Sequence, residues 1–167
     1  IEGKMKIIVY MQSNEGKINP ISLESLVAAQ KLKENKGAEI YAATFSDDIA
    51  NQLTTYDVNG VLHINNENLL NYSPLHYIET FSQLHANYHP DFFIFGHTYE
   101  TRDWVPRLSA RLDIPFLSDC IGMNPEGAIT LTRALYQNKI NVDLSGGPSS
   151  SIVSFQSGAY KIDDLKE

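Results

Sequence analysis

The side chains best equipped for chemistry cluster in Gly96-His97-Thr98-Tyr99-Glu100-Thr101-Arg102. Gly96 permits close approach of a backbone, Thr98 and Thr101 offer hydroxyls, and the amides of a helix starting there favour an anion. A phosphate could be held by such a stretch, with Gly96, His97, Thr98, Thr101 and Arg102 as its cofactor-binding residues. The same groups can also act only as helix caps, with Asp103 and Arg107 as an i,i+4 pair on the helix surface. Glu15 and Glu100 oppose an anion if they point inwards. His97 can titrate near neutral pH, or simply hydrogen-bond to backbone or to a neighbouring hydroxyl.

Other candidates carry less. His85 and His89 lie four apart on one helix face without the intervening acid of an HExxH site, so no metal ligand set is expected. Cys120 follows Asp119, and an acidic neighbour raises a thiol's pKa, so a small core residue is expected rather than a reactive thiolate. Ser145-Gly146-Gly147-Pro148-Ser149-Ser150-Ser151 reads as a hairpin loop, because no helix follows to complete a phosphate cradle. With no P-loop, GxGxxG or GxSxG, the NTPase, dinucleotide-dehydrogenase and serine-hydrolase classes lose their usual support. No catalytic residue is assigned.

The elements that must position these groups read as alternating strands and helices. Lys6 to Met11 is a nearly unbroken apolar, β-branched run of the kind buried on both faces of a parallel sheet. Asn19-Pro20 opens a largely buried helix ending near Gly37, Glu39 to Phe45 is strand-like, and Ser46-Asp47-Asp48 starts a short helix to about Tyr56. Gly60 to Ile64 is a third strand, and Ser73-Pro74 starts a helix stopped by Pro90. Asp91 to Gly96 is a fourth strand, followed by a helix carrying Trp104, Val105, Leu108 and Leu112. Helical crossovers require parallel pairing, so a Rossmann-like, doubly wound α/β fold with helices on both faces is expected. Ligands of such sheets sit where strand order reverses, here between the first and fourth strands, where Gln12 to Gly16 meets Gly96 to Arg102. Beyond Pro115, Ile129 to Arg133, Ile140 to Leu144 and Ile152 to Phe155 are expected to form a small antiparallel extension.

Composition narrows the partners. The 167 residues, 43% apolar, describe one globular domain able to bury a core without disulfides. Twenty acidic against thirteen basic side chains give a net charge of −7, which disfavours nucleic acid and anionic membranes. A single cysteine and the lack of a signal-peptide pattern or an apolar span of about 18 residues fit a cytoplasmic setting. Ile1 to Lys4 precede Met5 and resemble a vector-derived remnant. The domain is placed at residues 5–160, with 161–167 as a tail or the start of a linker.

The segment Phe95-Gly96-His97-Thr98-Tyr99-Glu100-Thr101-Arg102-Asp103-Trp104-Val105-Pro106-Arg107-Leu108-Ser109-Ala110-Arg111-Leu112 resembles the N-terminal domain of the electron transfer flavoprotein alpha subunit. The likeness continues through Asn19-Pro20-Ile21-Ser22-Leu23-Glu24, Ser118-Asp119 and Thr132-Arg133 to Ser157-Gly158-Ala159-Tyr160. It implies an electron carrier component rather than an enzyme, assembling with a beta-type subunit or as a homo-oligomer and served indirectly by acyl-CoA-type or other dehydrogenases. It implies FAD as cofactor, held in that family mainly by a second alpha-subunit domain, with this domain as a platform. His97, Tyr99, Glu100 and Thr101 depart from the small residues and glycine the family tends to place before the Arg-Asp pair. The alternative is a stand-alone nucleotide-binding module, with AMP as a candidate ligand, using the crevice from Gly96 to Arg102.

Overall fold

Local capping chemistry sets the helix boundaries. The Asn19 side chain accepts from the Ile21 amide and Pro20 opens α1 (Pro20–Lys36), which ends at Gly37 with φ of 66°, a left-handed conformation that glycine adopts without strain. Ser46 caps α2 (Asp47–Leu53), Pro74 begins α3 (Pro74–Tyr88), and Thr98 caps α4 (Tyr99–Leu112) through the Thr101 amide. The computed structural model describes residues 3–145 and 150–167. Its strands are β1 (Lys6–Tyr10), a short ribbon of β2 (Ser13–Asn14) and β3 (Lys17–Ile18), then β4 (Glu39–Thr44), β5 (Gly60–His63), β6 (Phe92–Gly96), β7 (Phe116–Asn124), β8 (Thr130–Leu135), β9 (Ile140–Ser145) and β10 (Ser151–Phe155).

One eight-stranded sheet has the order β5-β4-β1-β6-β10-β7-β8-β9. Every pair from β5 to β7 is parallel, whereas β7–β8 and β8–β9 are antiparallel. The α/β class, the parallel sheet and the antiparallel extension all agree with the sequence reading, and the first and fourth expected strands are neighbours as β1 and β6. Strand side chains alternate between two cores. Ile7, Val9, Ile94, Val153 and Phe155 join Leu26 and Leu32 of α1 and Ile49 and Leu53 of α2, while Ile8, Tyr10, Phe93, Phe95 and Ile152 join residues of α3 and α4.

Beyond Pro115 the structure departs in part from the expected antiparallel extension. Ile152 to Phe155 is not part of the antiparallel extension: β10 lies inside the parallel sheet between β6 and β7, and all five of its residues are buried. Phe116 to Asn124, unassigned from sequence, forms one strand that pairs in parallel with β10 and antiparallel with β8, broken by register shifts that spoil its alternation. The Ser145 to Ser151 segment, expected as a hairpin loop, is flanked by β9 and β10, which are not neighbours in the sheet, and its residues 146–149 lie outside the described residues.

The C-terminal segment is fastened to α1. The buried Glu24 carboxylate accepts from the Gly158 amide at 2.7 Å, and Gln30 exchanges two hydrogen bonds of 2.9 Å with the Lys166 backbone. On the other side of the sheet Trp104, 0% exposed, sits among Tyr10, Tyr77, Phe81 and Phe95 at ring-centroid distances of 5.0–6.1 Å. Its indole Nε1 has no hydrogen-bond partner among the described residues.

Two stability predictions follow from this packing. A Cβ on Gly96 would lie 2.5 Å from Ile21 Cγ2 and 3.1 Å from the Ile21 carbonyl carbon, so Gly96→Ala is expected to cost about 1–3 kcal/mol in urea denaturation. Adding Ile21→Ala, which removes that methyl, should return part of the loss; an unchanged midpoint in the single variant would show that the two elements are not in such close contact. Trp104→Phe should cost less than half of the about 3–5 kcal/mol expected for Trp104→Ala, because no hydrogen bond is lost with the indole N–H. Equal losses would mean that the N–H has an acceptor.

Candidate functional site

At the carboxyl end of the sheet the groups singled out in the sequence divide into those that build the loop and those that face solvent. The Thr101 hydroxyl donates to the Gly96 carbonyl at 2.7 Å, and Thr98 Oγ1 accepts from the Thr101 amide at 3.1 Å while donating to Gln12 Oε1 at 2.9 Å. Both hydroxyls are therefore engaged in capping α4 and in tying the β6 loop to the β1 loop. Gly96 is buried against Ile21, so its missing Cβ admits the first turn of α1. Gly96 and Thr101 lie beneath the surface, whereas His97, Thr98 and Arg102 line a cleft of about 810 Å³.

The meeting of the two loops splits the expected crevice in two. Gln12 and Ser13 border a separate cavity of about 530 Å³ with Tyr10, Asp47, Asp48 and Glu100. Glu100 accepts from the Tyr10 hydroxyl at 3.2 Å there, and burial raises its pKa from its ordinary value against the lowering effect of that hydrogen bond. Glu15 is exposed in the turn between β2 and β3. Neither acid is among the lining residues of the larger cleft.

That larger cleft lies on the β10 and β7 side of β6, and its remaining polar groups come from segments the sequence reading did not connect with it. Asp119 and Ser118 belong to β7, Arg133 to β8, and Gln156 and Ser157 follow β10. Ser154 on β10 organises them: its Oγ lies 2.8 Å from His97 Nδ1 and accepts from the Asp119 amide at 3.0 Å. Asp119 holds φ of 58° where the β7–β10 register shifts, a conformation aspartate tolerates better than most residues. Because Ser154 is 0% exposed and already accepts one bond, donation of its own proton to Nδ1 satisfies the hydroxyl. This assigns the hydrogen of neutral His97 to Nε2, which faces Asp119 Oδ1 at 3.9 Å.

Charge in the cleft is mainly positive. Burial lowers the His97 pKa, and the guanidiniums of Arg102 and Arg133 push the same way against the raising influence of Asp119. Arg102 lies over the Tyr99 ring at 5.5 Å, and no ion pair of Arg102 or Arg133 with a carboxylate is present among the described residues. The Arg133 Nε is buried without a hydrogen-bond partner there. The His97–Ser154 contact is not an exposed nucleophile and base, because the serine is enclosed. The arrangement can hold an oxyanion.

The other sequence candidates sit elsewhere. His89 forms the left-handed cap of α3 and the His85 ring packs 6.2 Å from that of Phe93; no cluster of three or more metal-capable side chains occurs among the described residues. Asp103 and Arg107 do form an exposed i,i+4 pair at 3.0 Å. Cys120 is fully buried, and its thiol is pushed up to about 12 chiefly by desolvation, with Arg133 opposing and Asp119 adding. No helix among the described residues is long and apolar enough to cross a membrane.

Comparison with known proteins is consistent with this architecture. Residues 7–166 match the model of the electron transfer flavoprotein domain. The chain is 27% identical over 135 residues to an electron transfer flavoprotein subunit alpha of Thermoanaerobacterium thermosaccharolyticum, covering 78% of this chain and 41% of that one. A subunit alpha of Bacillus subtilis is 27% identical over 138 residues, covering 80% and 42%, and Protein FixB of Clostridium saccharobutylicum is 25% identical over 133, covering 77% and 40%. The chain thus spans about two-fifths of the length of these relatives. With the family model matched across nearly the whole sheet and its helices, this chain belongs to the electron transfer flavoprotein domain family and is related to its alpha subunits.

Proposed function

We propose that this chain is an alpha-type platform domain, assembling with a beta-type subunit or another flavin-binding partner in electron transfer from dehydrogenases. The domain-long family match carries the reading. Its surface supports it: the β8–β9 turn presents Tyr136 at 74% and Ile140 at 52% exposure, large apolar groups of the kind that interfaces cover. Among the described residues β9 pairs only with β8 and forms an edge of the sheet.

In this reading the chain is an electron carrier component and makes or breaks no bonds of a substrate. FAD is the cofactor of the assembly, and the fit of this chain's own cleft to it is partial. The guanidiniums of Arg102 and Arg133 match phosphate oxygens, but Tyr99 is engaged with Arg102 and Phe116 is only half-buried at the rim, so no closed slot for an isoalloxazine ring is built here. The ring is therefore held by the partner or by a further domain.

Co-expression with a beta-type subunit and a flavin-binding alpha-type domain, followed by size exclusion with light scattering, tests the proposal. A complex containing this chain and showing FAD absorbance is expected, and the double variant Tyr136→Ser/Ile140→Ser should weaken association by about ten-fold or more while leaving the melting temperature of the isolated chain in place. Failure of the chain to join either partner would overturn the platform role. Association unaffected by the double variant would remove the β8–β9 turn from the interface.

A further inference from the structure

We propose that the cleft bounded by His97, Arg102 and Arg133 binds a phosphomonoester whose organic part carries hydroxyl donors, the chemistry shared by sugar phosphates and nucleoside monophosphates. The inference is independent of assembly with a flavin-binding partner, because it concerns groups that this chain alone supplies.

The cleft holds an unmatched set of donors. Two guanidiniums line it without a carboxylate partner among the described residues, and among those residues the buried Arg133 Nε has no hydrogen-bond partner either. Guanidinium donors that lack a counter-charge in a shared cleft favour the uptake of an anionic acceptor. Planar guanidinium forks suit phosphate oxygens, which they engage in parallel pairs of bonds.

Ser154 fixes the role of the imidazole. Ser154 donates to Nδ1 and thereby leaves the Nε2 hydrogen directed towards the cleft side, where Asp119 lies. His97 thus contributes a neutral N–H donor, and the two arginines contribute the fixed charge. Thr98 and Thr101 add nothing to the ligand, because their hydroxyls are consumed in the α4 cap and the loop tie.

Asp119 is a carboxylate on the cleft wall with its side chain 38% exposed, which repels a bare anion but accepts from hydroxyl groups. A ligand with a phosphate at one end and hydroxyls nearby satisfies both sets of groups, whereas inorganic phosphate satisfies only one. The cleft volume of about 810 Å³ lies within the about 300–1,000 Å³ typical of small-molecule sites, so a sugar phosphate or a mononucleotide can enter.

Calorimetric titration of the purified chain with ribose 5-phosphate, AMP, inorganic phosphate and ribose is the test. Ribose 5-phosphate and AMP are expected to bind, inorganic phosphate more weakly, and ribose not at all. AMP tighter than ribose 5-phosphate would mark a nucleotide as the source of the phosphate, and equal affinities a sugar phosphate. Arg102→Met, at an exposed position, and Arg133→Met should each weaken both phosphomonoesters by about ten-fold or more, while Arg111→Met outside the cleft should leave them unchanged. Asp119→Asn, which keeps a residue tolerant of positive φ, should tighten inorganic phosphate and shrink the preference for ribose 5-phosphate over it. Absence of binding by both phosphomonoesters at millimolar concentration, or affinities untouched in both arginine variants, would overturn the proposal.

Discussion

The two-sided pairing of β10 is the constraint on which the cleft depends. β10 follows β9 in the chain, yet it enters the sheet between β6 and β7 and is parallel to both. Only this insertion sets Ser154 between His97, which follows β6, and Asp119, which lies in β7. The main chain reinforces the arrangement at the strand end, where the His97 amide donates to the Phe155 carbonyl at 2.8 Å and the Gln156 amide to the Cys120 carbonyl at 2.9 Å. A central strand with both edges paired and both faces buried is the least deformable part of such a sheet, so a hydroxyl mounted on it is held to a fixed position.

Electrostatics then separates two cavities that the topology alone would merge. The tie from Thr98 to Gln12 stands between the acidic cavity of Asp47, Asp48 and Glu100 and the cleft of Arg102, Arg133 and His97. In a chain of net charge −7, the cleft gathers a local charge opposite to that of the whole. Burial works in the same direction on both sides: it disfavours the ionised form of Glu100 and the ionised form of His97.

Much of this was legible in the sequence and some of it was not, for reasons that can be assigned. The four strand-and-helix units announce themselves because Pro20, Gly37, Ser46 and Pro74 stand at helix ends and the intervening runs have clear period. The long α4 helix with its buried Trp104 is equally plain. β10 misleads because a five-residue segment buried on both faces has no alternation to give its neighbours away, and because a run of short strands favours a meander over a return to the sheet centre. β7 hides for the opposite reason: bulges around Asp119 and Cys120 break its period. Arg133 and Asp119 could be recognised as cleft residues only after the order β6-β10-β7-β8 was known, since the sequence places them far from His97. The one usable hint was Asp119 itself, an acid beside a buried cysteine in an otherwise apolar stretch.

The hydrogen-bond direction at Ser154 also bears on the protonation of His97. Protonating His97 would place a second hydrogen on Nδ1, facing a hydroxyl that already accepts from the Asp119 amide and donates to that same nitrogen. The serine would have to reverse and leave its own hydrogen without a listener in a site that is 0% exposed. Desolvation and the two arginines oppose the imidazolium as well, against Asp119 alone in its favour. Ser154 thereby holds one imidazole tautomer in place, and the Nε2 hydrogen left on the Asp119 side adds one donor to the two guanidiniums that line the cleft.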